Sequence, residues 1–351
     1  MQPLCRSALP TRRLFFIVHG MQTSGLRVGL TYDLRQDYLA EGYSLEETAE
    51  FDKPDTIEGI EQALHMLGFH TERIGNAKAL VQALAAGKRW DMVFNIAEGM
   101  YGVARESLVP ALLDAYRIPY TFSGPDVLVV ALDKALTKTV ARDAGVPTAP
   151  FAVLRTPADI ARVQLPFPLF LKPVAEGTGK GISERSKVGA TAELRAVAED
   201  LLTRFRQSVL VETYLPGREF TVGLAGEGAR AEVLGAIEVV FRPGVEPIYS
   251  YQTKADYEAR VTYTTPTDAT ARAACDVALA AWRALGCVDA GRIDLRCDAG
   301  GRPNFIEVNP LAGLNPTHSD LPILCRLNGI DFNALIGRIM ANALRRHGLS
   351  A

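Results

Sequence analysis

At 351 residues the chain is long enough for two or three domains, and 48% hydrophobic with 22% charged residues is the balance of a soluble globular enzyme. A formal charge of −2 excludes a general electrostatic pull toward nucleic acid or an anionic membrane, and no apolar run approaches a membrane span. Five cysteines (Cys5, Cys275, Cys287, Cys297, Cys325) with no Cys-x-x-Cys pair fit reduced thiols in the cytoplasm, not a disulfide or zinc framework.

Residues 1–25 read as a disordered extension. Thr11-Arg-Arg-Leu-Phe-Phe-Ile17 has the look of a twin-arginine export signal. Its apolar core runs only from Leu14 to Val18, however, and no small-residue cleavage site follows. The first strand is expected at 26–32, followed by an acidic stretch from Asp33 to Glu50. Pro54 opens a helix that runs through Leu67 and stops at Gly68. Strand 69–74, helix 76–86, strand 90–96 and helix 105–116 follow, and this alternation predicts a parallel sheet with helices on both faces, spanning 26–122. The absence of Gly-x-Gly-x-x-Gly after the first strand argues against a dinucleotide site there. A central unit, 123–225, contains helix 133–144, strand 168–172, a glycine-rich loop at 176–182, helix 191–203 and strands 208–213 and 219–225. A C-terminal unit, 226–351, has strand 231–241, a Tyr-rich loop 247–265, helix 268–285, a hairpin and helix 331–346. That last helix places Phe332, Leu335, Ile336, Ile339 and Ala343 at core spacing.

The hairpin carries the strongest chemical signal. Strands 291–297 and 303–309 flank the turn Asp298-Ala-Gly-Gly301, and a four-residue loop sets Asp294 across from Glu307. Like charges facing each other destabilise a ladder. Asn309 and Arg292 share their face, and two carboxylates with an amide oxygen are what Mg²⁺ bound to phosphates needs. The alternative is a hairpin whose carboxylates point into water. In Glu176-Gly-Thr178-Gly179-Lys180-Gly, glycine backbone N–H groups and one ammonium suit a polyphosphate, although the pattern is not a P-loop and a plain surface loop has the same composition. Lys172, ending the apolar strand Phe170-Leu-Lys, would be half-buried and needs an anion. Lys134 by itself is ambiguous. Glu219, after a strand ending in Glu212, Thr213, Tyr214 and Leu215, could accept both hydroxyls of a ribose or be a strand-edge charge.

Together, Leu132-Asp-Lys-Ala-Leu-Thr-Lys138, Leu171-Lys-Pro173, Val211-Glu212, Pro216-Gly-Arg-Glu-Phe-Thr-Val222, Gly291-Arg-Ile-Asp294 and Ile306-Glu-Val-Asn309 resemble the ATP-grasp superfamily of the D-alanine–D-alanine ligase type. The resemblance runs from about Trp90 to Ile339 and more loosely from Leu26. It implies a three-domain ATP-grasp fold, α/β and α+β, with an N-terminal parallel-sheet domain. It implies that Lys134 and Lys172 hold the phosphates of ATP under the loop of Thr178, Gly179 and Lys180. The backbone of Glu212, Thr213, Tyr214 and Leu215 would hold adenine, and Glu219 the ribose. Asp294, Glu307 and Asn309 would bind two Mg²⁺, with Mn²⁺ as a substitute. Arg292 and the N–H of Gly313 would stabilise a tetrahedral oxyanion, and Lys254 would close a lid. The implied reaction is ATP-dependent ligation of a carboxylate to an amine through an acyl phosphate, on small amino-acid or carboxylate substrates, with a homodimer left open.

Three departures fall on the substrate side. The family's Gly-Gly-x-Ser-x-Glu becomes Tyr32-Asp-Leu-Arg-Gln-Asp-Tyr38, its His-Gly becomes Glu98-Gly99, and the Tyr after the lid lysine becomes Ala255. Glu98, with Asp33 or Arg35, is therefore expected to set the substrate, Glu98 meeting an ammonium and Arg35 a carboxylate. An ATP-grasp kinase acting on a hydroxyl and a non-catalytic nucleotide-binding regulator are the competing readings.

Overall fold

The structure is a computed structural model that describes residues 25–245, 247–248 and 257–349. The expectations for residues 1–24 and for Lys254 lie outside the described residues.

The N-terminal unit forms where short apolar strands alternate with amphipathic helices. Its strands are β1 (Arg27–Thr31), β2 (His70–Gly75) and β3 (Met92–Asn95), with α1 (Arg35–Ala40), α2 (Pro54–Met66), α3 (Ala77–Ala85), α4 (Leu108–Ala115) and α5 (Pro125–Leu132) around them. The sheet is parallel in the order β2-β1-β3, as the alternation predicts. Pro54 starts α2 at a position where its missing N–H costs nothing, and Gly68 (φ +89°) ends the segment.

In the central unit, the Asp133 carboxylate caps α6 (Lys134–Asp143) by accepting from the backbone N–H groups of Ala135 and Leu136. The cap fixes Lys134 at the first turn and Lys138 one turn on. An antiparallel sheet, β4-β7-β5-β6, is built from β4 (Phe151–Leu154), β5 (Leu169–Pro173), β6 (Lys187–Val188) and β7 (Val209–Thr213). It is backed by α7 (Thr191–Phe205), which buries Leu194, Val197, Ala198 and Leu201 against it.

The C-terminal sheet is antiparallel in the order β10-β9-β8-β11-β12. Its strands are β8 (Glu219–Ala225), β9 (Glu232–Phe241), β10 (Val261–Thr264), β11 (Ala290–Cys297) and β12 (Pro303–Asn309), with helices α8 (Tyr257–Arg260), α9 (Ala269–Ala284), α10 (Asp320–Leu327) and α11 (Phe332–Arg346). Two expectations change here. Strand 219–225, grouped above with the central unit, is hydrogen-bonded between β9 and β11 in the C-terminal sheet. The end of the Tyr-rich loop, expected to be irregular through 265, instead holds α8 and the strand β10. In α11, Leu335, Ile336, Ile339 and Ala343 are fully buried, while Phe332 is only partly so. These side chains share one core with Ile57, Ile60 and Leu64 of α2, which ties the N-terminal unit to the C-terminal sheet. No helix among the described residues is long and apolar enough to cross a membrane.

Candidate active site

The hairpin register is the one expected: Asp294 pairs with Glu307, and Arg292 with Asn309. The facing charges are each met by a cation. Lys134 Nζ lies 3.3 Å from Glu307, and Arg292 is ion-paired to Asp294 and lies 3.7 Å from Asp320. Thr221 of β8 donates to Asp294 at 2.8 Å, which fixes one carboxylate oxygen. Among the described residues there is no group of three His, Cys, Asp or Glu side chains arranged for a metal. An all-oxygen set of two carboxylates and one amide instead suits Mg²⁺ that shares its remaining positions with phosphate oxygens and water.

Beside the hairpin a cleft opens between the two antiparallel sheets. Its wall contains Lys134, Lys172, Gly179, Lys180, Glu219, Asp294, Glu307 and the segment from Glu212 to Leu215, with Phe170, Ile182 and Ile306 as apolar surface. Lys172 is 3% exposed, and the anion it meets here is not a ligand but the Glu212 carboxylate, at 2.9 Å. The other Glu212 oxygen takes Lys138 at 2.9 Å. Burial alone would raise the Glu212 pKa, but the two ammonium groups overcome it and hold it at about 2. Lys138 also donates to Thr148 Oγ1 at 2.6 Å, which in turn donates to the Phe305 carbonyl at 3.0 Å, two residues before Glu307. Glu219 lies 3.3 Å from Arg296, whose guanidinium also donates to Tyr214 OH at 3.1 Å.

The glycine-rich loop folds over this cleft as consecutive left-handed residues, Thr178 (φ +49°) and Gly179 (φ +75°), with Gly181 at φ +73°. Lys180 pairs with Glu176 at 3.2 Å and with Glu50 of the N-terminal unit at 3.0 Å. Glu50 also takes Arg105 at 3.0 Å. A Cβ on Gly177 would lie 2.2 Å from a Glu50 oxygen, so the loop approaches Glu50 as closely as it does only because that residue is glycine.

A second cavity of about 490 Å³ shares Lys134, Glu176 and Glu307 with the first cleft and continues to the N-terminal unit. Arg292, Asn309, Gly313 and Thr178 line it, as do Arg35 and Glu98. Asp33 does not. It is 2% exposed, and its carboxylate accepts from Tyr38 OH and, at 2.8 Å, from the Gly99 N–H, so it anchors the Glu98-Gly99 turn from behind. Arg35 reaches the cavity, yet its guanidinium donates to the carbonyls of Thr48 and Ala49, at 3.0 and 2.6 Å. Burial, then the neighbouring charges of Glu106 and Glu50, push the Glu98 carboxyl well up, and burial brings Glu106 and Asp52 each to about 7. Sequence reasoning missed Lys138, Arg296, Glu106, Asp52 and Asp320. Lys138 and Arg296 carried a signal, one helical turn from Lys134 and two strand residues from Asp294. The other three are brought in by tertiary folding alone.

The family described as D-ala D-ala ligase C-terminus matches residues 140–341. A D-alanine--D-alanine ligase of Bordetella petrii is 33% identical over 287 residues, covering 81% of this chain and 85% of that protein. The uncharacterized protein y4sG of Sinorhizobium fredii is 34% identical over 259 residues, covering 73% and 75%. Among solved structures, the D-alanine--D-alanine ligase of Bacillus anthracis complexed with ATP superposes with a TM-score of 0.69 at 22% identity, covering 92% of this chain and 99% of that one.

Proposed function

The chain belongs to the D-alanine–D-alanine ligase family of ATP-dependent, amide-forming enzymes acting on small amino-acid substrates, and on that premise we propose how its own residues divide the work. The observation that carries the reading is that Lys134 and Glu307 line both cavities, so a phosphate in one and a carboxylate in the other would meet at this ion pair. Lys134 and Lys172 hold the phosphates, and Thr178, Gly179 and Lys180 cover them. The 212–215 backbone takes adenine between apolar side chains, and Glu219 takes the ribose. Lys254 closes the lid. Asp294, Glu307 and Asn309 would hold two Mg²⁺, whose charge would offset that of a phosphoryl group.

The substrate carboxylate attacks the γ-phosphorus, forming an O–P bond as ADP leaves. The ammonium of the second substrate gives up one proton and its amine attacks the acyl carbon, inorganic phosphate departs, and the nitrogen loses a second proton to leave an amide. Arg292 and the Gly313 N–H face the oxyanion. Glu98 takes an ammonium of the substrate, whereas Asp33 acts only by positioning the Gly99 turn. The acyl-phosphate route is tested with ATP, Mg²⁺ and a pool of free amino acids of both hands labelled with ¹⁸O in their carboxylates. One ¹⁸O per phosphate released, with a dipeptide mass appearing, is expected. Unlabelled phosphate beside an amide product would remove the acyl phosphate.

A further inference from the structure

The substrate cavity is short of positive charge. Among its carboxylates, Glu50 is taken by Arg105 and Lys180, and Glu307 by Lys134. Glu98 and Glu106 make no hydrogen bond or salt bridge among the described residues, with Arg105 as the neighbouring cation of Glu98 and Arg105 and Lys134 those of Glu106, and Asp52 has Thr56 as its side-chain hydrogen-bond partner with Arg35 nearby. Of the cations on this wall, Lys134 lies on Glu307 and Lys53 is exposed to solvent. Arg35 is turned onto two backbone carbonyls, and Arg292 lies between Asp294 and Asp320. Asp320 thus stands beside the guanidinium that would otherwise be open to a substrate carboxylate. Two buried polar atoms of residues on the same cavity, Thr178 Oγ1 and Asn309 Nδ2, also have no hydrogen-bond partner among the described residues. A zwitterionic amino acid with a neutral side chain brings no net charge to such a wall. A ligand with an additional ammonium or guanidinium does, and two carboxylates closing on it are worth more in this enclosed space than in water.

We propose that one of the two substrates is a basic amino acid, its side-chain cation seated between Glu98 and Glu106 beside Asp52. The inference rests on the ligase reading above and leaves its bond-making unchanged; it names which amino acids the cavity accepts. The test measures ADP release by the full chain with ATP and Mg²⁺ and with pairs drawn from alanine, glutamate, lysine, ornithine and arginine of both hands. A kcat/KM for a basic amino acid above that for alanine by about ten-fold or more is expected, the size of one charge-assisted contact. Glu98→Gln and Glu106→Gln should each raise KM for the basic substrate more than they lower kcat, and bring the preference toward unity. Nucleotide binding by calorimetry shows that these variants fold. A preference for alanine or glutamate, or variants that treat basic and neutral substrates alike, overturns the charge assignment and leaves the ligase reading standing. ATP consumption that no amino acid accelerates overturns both.

Discussion

Glu307 shows how a single distance changes an energetic argument. From the hairpin alone, removing one of two facing carboxylates should leave the metal-free protein as stable or more so. The ammonium of Lys134 at 3.3 Å reverses that sign, because Glu307→Gln takes from a buried lysine its carboxylate partner. We therefore expect the apo variant to lose about 1.5–3 kcal/mol in urea denaturation, the range for a hydrogen bond to a charged group, and to lose turnover. Unchanged stability would show that the pair contributes nothing. Lys138 poses a related case, since it is 0% exposed and shares Glu212 with Lys172. Lys138→Met leaves Glu212 with one ammonium and frees Lys172 to shift toward it, so KM for ATP should rise about ten-fold, one decade per 1.4 kcal/mol, while KM for the amino acid holds. An unaltered KM for ATP would separate Lys138 from nucleotide binding. The pairing of Asp294 with Glu307 was legible in the sequence because strand register follows from the turn. Neither lysine's reach was, because it depends on where α6 docks.

At the scale of elements, the glycine-rich loop and the acidic stretch before α2 are one device, though they lie far apart in the chain. Glu50 bridges Arg105 and Lys180 while its oxygen occupies the place where a Gly177 side chain would be. Gly177→Ala should therefore push the loop off Glu50. The expected result is faster proteolysis between 176 and 182 and a lower kcat, with both effects reduced when Glu50 is shortened to Ala in the same protein. Equal proteolysis of wild type and Gly177→Ala would sink the contact. Elements with clear period or caps were readable: α2 from Pro54, α6 from Asp133, and α11 from its apolar stripe. α5 was not, because Val127, Val129 and Val130 give an apolar run that fits strand as well as helix. The placement of β8 was also hidden, since a strand's sequence says that it pairs but not with which neighbour.

For the whole molecule, α11 joins the core of α2, so the N-terminal wall of the substrate cavity is packed onto the C-terminal sheet. That wall carries the carboxyls whose environment opposes ionisation, and this gives the protein an unusual dependence on pH. Asp52 and Glu106 stand at about 7 and Glu98 is also raised, each chiefly by burial. Their unfolded values are near 4, so between about pH 4 and 7 the folded state binds more protons than the unfolded one, and stability falls as pH rises. Glu212 has the opposite sign: held at about 2 by its lysines against the effect of burial, it contributes stability above its unfolded value that is lost as pH drops toward 2. His347, lowered by burial, works against the carboxyls below pH 6.5, but it is one half-buried group against three. The apo protein should therefore be most stable near pH 5 and lose on the order of 1–2 kcal/mol per raised carboxyl by neutral pH, a discount for the solvent the cavity admits. Urea denaturation from pH 4 to 8 measures the curve, and Glu106→Gln should flatten its neutral limb and raise stability at pH 7. A curve that climbs from pH 5 to 7, or a Glu106→Gln variant that parallels wild type, would mean that these carboxyls ionise at their ordinary values and that burial in this wall does not oppose their charge.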